Sequence, residues 1–127
     1  MIESQIVDVV AELMIGINVD AQFGQVLVIA SGGTLVELLR DSVTLLLPAS
    51  DTQIRDALAS LRTYPLLRGF RGRPAADLDR LVGAIAGIAR YAEAEQARLL
   101  EMDINPLMIT EHDCIAADVM IRELVAP

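Results

Sequence analysis

The sequence predicts an α/β domain of the α+β kind, an antiparallel or mixed sheet with helices on one face. Three observations carry this. Runs rich in Val, Ile and Leu lie at both ends of the chain, two segments of helical periodicity lie between them, and Gly, Pro and Asp clusters separate the pieces. At 127 residues the chain fits one domain over residues 1–127 with a real hydrophobic core. Hydrophobic residues make up 54% and aromatic ones only 3%, so the core must be aliphatic.

The first strand is expected over Ile6–Val19. Asp20-Ala21-Gln22-Phe23-Gly24 is a turn, and Gln25–Ala30 is a second strand ending in Ser31-Gly32-Gly33. A turn centred near Gln22 places Glu12 beside the glycine pair, so a carboxylate and a permissive backbone become neighbours. Leu35–Asp41 reads as a short helix and Val43–Leu47 as a strand stopped by Pro48. Ser50 with Gln53 forms a capping-box pattern. Ile54, Ala57, Leu58 and Leu61 follow at helical spacing, which predicts a helix over residues 51–62 ended by Pro65. Residues 67–74, with two glycines, a proline and three arginines, form a loop. Leu78, Leu81, Val82, Ile85, Ile88, Ala89 and Ala92 then mark the core face of a long helix over residues 77–97.

Residues 98–109 and 114–121 read as two strands joined by the two-residue loop Glu111-His112. That register sets Asn105 opposite Asp118. Directly opposed residues share a sheet face with Cβ atoms roughly 5 Å apart, and Asp103 lies two residues along on the same face. Amide and carboxylate oxygens in this arrangement suit Mg²⁺, which takes one or two protein oxygens and fills its shell with water and phosphate. From geometry alone a solvated polar face on an edge hairpin remains the alternative. Pro106 lacks an N–H and is expected to end pairing beside this site.

The net charge is −8, from 18 acidic and 10 basic residues, which argues against nucleic acid as a general partner, as does the scarcity of aromatic side chains for base stacking. All ten basic residues are arginines. Up to Pro48 and beyond Arg98 each part carries six acids and one arginine, whereas the middle carries six acids and eight arginines. Cys114 is the one cysteine, so no internal disulfide forms, and its expected place is a buried strand position rather than a reactive one. No signal peptide or long apolar span is evident, so a cytoplasmic location without membrane partners is expected.

Five pieces occur together in order and spacing. They are Glu12-Leu-Met-Ile-Gly16, Asp20-Ala-Gln-Phe-Gly24, Gly32-Gly33 with Glu37, Tyr64-Pro-Leu-Leu-Arg-Gly-Phe-Arg-Gly-Arg-Pro74, and Asp103-Ile-Asn-Pro-Leu107. The sequence thereby resembles the ATP-grasp domain of ADP-forming acyl-CoA synthetases over nearly its whole length, with the β-subunit of succinyl-CoA synthetase as a more distant relative. The resemblance implies the C-terminal subdomain of that domain. It implies Asn105 and Asp118 as Mg²⁺ ligands bridging ATP phosphates, with Asp103 as a supporting contact or a structural carboxylate.

By the same resemblance, Glu12 reaches the nucleotide or closes the end of a strand, and Glu3 matches a glutamate near the adenine. Gly32 and Gly33 let the backbone approach phosphate or phosphohistidine, or simply form a turn. Arg71 and Arg73 meet an anion of CoA, acyl phosphate or a partner domain, or else pair internally. His112 matches no family histidine and is expected to face solvent. The family's N-terminal ATP-grasp subdomain, with its phosphate-holding cations, and its CoA-binding domain have no counterpart and are the expected partners. The implied function is the MgATP-binding half of an acid–CoA ligase, with ATP, Mg²⁺ and CoA as cofactors of the complete enzyme. Alone, the chain is expected to be inactive and to contribute no catalytic residue of its own. The alternatives are a non-catalytic interaction or oligomerisation module, such as a homo-oligomer, and a free-standing metal-binding domain.

Overall fold

A computed structural model describes residues 9–32 and 41–125. In chain order the elements are β1 (Ala11–Asp20), β2 (Gly24–Ser31), β3 (Ser42–Leu46), α1 (Asp51–Ser60), α2 (Tyr64–Leu67), α3 (Leu78–Ala94), β4 (Leu99–Ile109), β5 (Cys114–Ala116) and β6 (Val119–Glu123). The six strands form one sheet in the order β3-β2-β1-β4, and both β5 and β6 then pair with β4. Every pairing is antiparallel. The start expected for the first strand and the helix expected over Leu35–Asp41, except Asp41 itself, lie outside the described residues.

The β1–β2 hairpin turns as its sequence dictates. An Asp20 carboxylate oxygen accepts from the N–H groups of Gln22 (2.7 Å) and Phe23 (3.0 Å), and Gly24 supplies the left-handed φ of 78° that closes the turn. Pairs such as Asp20↔Gly24 and Leu13↔Ser31 follow from that centre. Helix α1 begins with the expected capping box: the Ser50 hydroxyl accepts from Gln53 N–H at 3.1 Å, and the Gln53 side chain accepts from Ser50 N–H at 2.8 Å. Asp77 caps α3 in the same sense.

The helices cover one sheet face. Ile54, Ala57 and Leu58 of α1 and Leu81, Val82, Ile85, Ala86 and Ala92 of α3 are buried against Leu13, Ile15, Ile17, Leu27, Ile29, Met102, Ile104 and Leu107. Full burial of each large aliphatic side chain contributes about 1.5–3 kcal/mol, so this layer holds the domain together. Gln25 ties the two layers through a polar bond, its side-chain amide donating at 2.7 Å to the Ala92 carbonyl in the last turn of α3. No helix of the described residues is long and apolar enough to cross a membrane.

Three expectations are corrected. Helix α1 stops at Ser60 rather than running to residue 62, and Pro65 starts the next helical turn instead of ending a helix, because the first turn needs no N–H from it. The last strand is two strands, β5 and β6, broken at Ala117-Asp118. Nor does Pro106 end pairing: its carbonyl accepts from Ala117 N–H at 3.0 Å, and β4 continues to Ile109. The consequence of the missing N–H falls on the other side, where the register with β1 slips between Leu13↔Leu107 and Ile15↔Ile104.

Candidate metal and nucleotide site

Alternation along β1 places Ala11, Leu13, Ile15 and Ile17 in the core and Glu12, Met14, Gly16 and Asn18 on the face away from the helices. On β4, Met102 and Ile104 are buried, so Glu101 and Asp103 share that open face. Leu107 and Ile109 are also buried, which means the alternation reverses between Ile104 and Leu107. Asn105 and Pro106 stand at this reversal. The bulge therefore brings Asn105 out of the regular pleat, and Asn105 is exposed.

Across from it lies the break between β5 and β6. Asn105 N–H donates to the Asp118 carbonyl at 3.1 Å, so the two residues are direct partners, as the two-residue loop predicts. Thr110 N–H donates to the Asp113 carbonyl at 2.8 Å and closes that loop. Asp118 is exposed as well. Asp103 pairs with Gly16 on one side and Met120 on the other, at the rim of a shallow depression of about 180 Å³ that Met14, Asn18, Val28 and Glu101 also line.

The donor row is uncommitted. Among the described residues no side-chain hydrogen bond or ion pair uses Glu12, Asp103, Asn105 or Asp118, whereas neighbouring Glu101 is held by Arg122 at 2.9 Å. Hard oxygen atoms left free and exposed on one strand pair fit a magnesium ion. No group of three His, Cys, Asp or Glu among the described residues could enclose a metal. Two protein oxygens plus water and phosphate are a usual Mg²⁺ shell, so an open pair is compatible with it.

Glu12 and Gly32 meet as the turn centre predicts. Gly32 N–H donates to the Glu12 carbonyl at 2.8 Å, and a Cβ on Gly32 would stand 3.0 Å from the Glu12 backbone carbon and oxygen. Close strand packing thus gives Gly32 a structural reason to be glycine. A cavity of about 370 Å³ opens here, lined by Glu12, Ser31, Gly32, Thr63, Leu66 and the residues from Val9 to Ala11. Along the sheet, Glu12 pairs with Met108, three residues from Asn105. That spacing is roughly 10 Å of strand. Glu3 and Gly33 lie outside the described residues.

Sequence reasoning missed Asp41. It is 5% exposed, yet its carboxylate accepts from Arg62 N–H at 2.8 Å, Thr63 N–H at 3.2 Å and the Ser31 hydroxyl. The Ser31 and Thr63 hydroxyls meet at 2.9 Å, and Ser31 N–H donates to the Asp41 carbonyl at 2.9 Å. Asp41 thereby pins the Gly32 end of β2 to the α1–α2 corner, with no cation among its partners within the described residues. His112 sits exposed in the loop, with Nε2 3.4 Å from Glu111. Cys114 is half-buried and packs against the core. Burial first, and then the Asp113 and Asp77 charges against an opposing effect of Arg80, hold its thiol above the ordinary range.

The helix-backed antiparallel sheet with an open donor face can now be set beside known proteins. The ATP-grasp domain family matches residues 2–122, and the chain belongs to that family. Its relatives include the β subunit of the ADP-forming acetate–CoA ligase II of Pyrococcus furiosus, 30% identical over 98 residues, which are 77% of this chain and 42% of that subunit. The ADP-forming 4-hydroxybutyrate–CoA ligase of Nitrosopumilus maritimus is 33% identical over 100 residues, covering 79% of this chain and 14% of that enzyme. Among solved structures, acetyl-coenzyme A synthetase 1 of Ca. Korarchaeum cryptofilum superposes in its apo form with a TM-score of 0.85 at 30% identity, over 96% of this chain and 57% of that one. A second structure of the same synthetase contains coenzyme A and Mg-AMPPCP, with a phosphohistidine segment pointing towards the nucleotide-binding site; it gives a TM-score of 0.83 at 31% identity, over 90% and 53%. The chain thus spans about half the length of these relatives or less.

Proposed function

We propose that this chain supplies the C-terminal, metal-ligating half of the MgATP site of an ADP-forming acyl-CoA synthetase. The observation that carries the reading is the pairing of Asn105 with Asp118 at the β4 bulge, two exposed oxygen donors free of any other partner among the described residues. Its family membership and its relatives support the same reading. The parent reaction would join an acid to CoA as ATP becomes ADP and phosphate, in the cytoplasm.

In this proposal Asn105 and Asp118 would hold a magnesium ion, with Asp103 as a supporting carboxylate. When bound, the ion offsets negative charge on the phosphoryl group being transferred. Glu12 accepts hydrogen bonds from ribose hydroxyls and Gly32 lets the backbone approach the phosphate end; for Gly33 and Glu3, outside the described residues, the family resemblance alone suggests contacts with the phosphates and the base. The face itself is acidic. Glu12, Asp103 and Asp118 would repel phosphate without the metal and without cations from elsewhere, so the N-terminal ATP-grasp half and a CoA-binding domain are the partners assigned here. Alone, the chain binds weakly and does not turn over.

Calorimetric titration of the chain with ATP and Mg²⁺ tests this. The expected Kd is about 1 mM, with binding abolished by EDTA and weakened at least about tenfold in Asn105→Ala and Asp118→Ala. Binding that ignores metal and both substitutions would refute the proposal. A second reading, an interaction module, is favoured by the apolar edge strand, where Val119, Met120 and Ile121 are all more than 40% exposed. A tight dimer on sizing with no nucleotide binding would select it.

A further inference from the structure

The corner between α2 and α3 has features that the nucleotide reading does not use. Arg55, Arg80, Arg98 and Arg122 each face a carboxylate. Arg68, Arg71 and Arg73 are exposed and pair with no acid among the described residues, although the protein carries a net charge of −8. Internal pairing, one of the two sequence alternatives for Arg71 and Arg73, is therefore absent among the described residues.

The corner is also shaped. Gly69 (φ 88°), Arg71 (φ 54°) and Gly72 (φ 76°) adopt the left-handed region, which a side chain such as arginine rarely takes. Arg73 N–H donates to the Phe70 carbonyl at 3.2 Å and Ala76 N–H to the Leu67 carbonyl at 2.8 Å. The fold-back is close enough that a Cβ on Gly69 would meet the Arg73 carbonyl at 2.9 Å. Two guanidinium groups rest on rings, Arg68 at 5.8 Å from the Tyr64 centroid and Arg71 at 5.1 Å from that of Phe70. Such stacking reduces the freedom these side chains lose on binding an anion.

Beside them Phe70 is 43% and Leu66 39% exposed, and both line a cavity of about 90 Å³ with Val9, Val10, Arg73 and Pro74. Pockets for small ligands generally enclose about 300–1,000 Å³. This one takes a single apolar side chain, not a nucleotide. We propose that the Tyr64–Pro74 corner docks an acidic polypeptide segment of a partner, with one apolar side chain entering the Leu66–Phe70 cavity and flanking carboxylates meeting Arg68, Arg71 and Arg73. Guanidinium forks match carboxylates in geometry, and aromatic and arginine side chains are the usual anchors of such interfaces. The inference does not depend on the magnesium site.

A random peptide library displayed on phage and selected on the full chain tests it, with each enriched peptide re-measured on the Arg71→Glu/Arg73→Glu variant and on Phe70→Ala. Phe70, Arg71 and Arg73 are exposed, so both variants should keep the native circular dichroism spectrum. The expected peptides carry a Leu, Ile or Phe between Asp or Glu residues, lose affinity roughly tenfold or more on either variant, and weaken as salt rises. Amide shifts on binding should centre on residues 64–76. Enriched peptides that lack acids, bind the variants equally, or shift other regions would overturn the proposal, as would a library yielding no specific binder. Displacement by inorganic polyphosphate of peptides that need no apolar residue would also overturn it, by reducing the corner to an unspecific anion site.

Discussion

An alanine at position 32 would place a methyl group 3.0 Å from the Glu12 backbone, and a backbone cannot swing aside as a long side chain does. Gly32→Ala should therefore destabilise by about 1–3 kcal/mol and displace Glu12, measured by denaturant titration and by the Glu12 amide shift. Asp41→Ala should cost about 2–4 kcal/mol, because it leaves the Arg62 and Thr63 N–H groups and the Ser31 hydroxyl without their acceptor. Cys114 gives a pH test. Its folded pKa is raised, so near the ordinary thiol pKa the native protein holds a proton that the unfolded chain releases. Stability should be unaffected at lower pH and fall as pH rises through and above that range. Native alkylation by iodoacetamide should lag a denatured control over the same window. Asn105 and Asp118 were legible at this scale because a two-residue loop fixes which residues face each other. Asp41 was not, because its partners at positions 31, 62 and 63 come from elements whose mutual placement no local pattern encodes.

At the scale of elements, periodicity predicted most of what formed. The capping box at Ser50 and the α3 stripe are local patterns, and Ser50→Ala should cost about 1 kcal/mol while Ile85→Ala should cost about 2–5 kcal/mol, both read by thermal unfolding. The prolines were harder to place. Pro65 is compatible with ending a helix or beginning one, and only the corner packing of Leu67 decides for the second. Pro106 could end a strand or bulge it. The bulge prevails because β4 pairs on both sides, with β1 and with β5 and β6, and gives up a single step of register on the β1 side. That irregularity reverses the alternation beside Asn105, so the element that departs from the simple strand rule is also the one bearing the proposed metal ligands.

For the whole molecule, charge and topology agree. One sheet face is sealed by helices, and the other carries Glu12, Glu101, Asp103, Asn105 and the adjoining Asp118, with arginine present only as the partner of Glu101 among the side-chain pairs described there. Under the proposed function such a face would hold phosphate only through a divalent ion and cations added from elsewhere, a reading that membership of the ATP-grasp domain family supports. The hairpin loop made the Asn105–Asp118 pairing legible; the arginine corner, whose small cavity shares Val9, Val10 and Leu66 with the Glu12 cavity, needed the fold, since only the structure separates paired from unpaired guanidinium groups. The most direct test of the magnesium assignment is an amide NMR spectrum recorded with ATP and substoichiometric Mn²⁺ in place of Mg²⁺. Paramagnetic broadening centred on residues 103–106 and 117–119, reversed by excess Mg²⁺ and lost in Asp118→Ala, is the predicted result. Broadening centred elsewhere, or unchanged by Asp118→Ala, would contradict it.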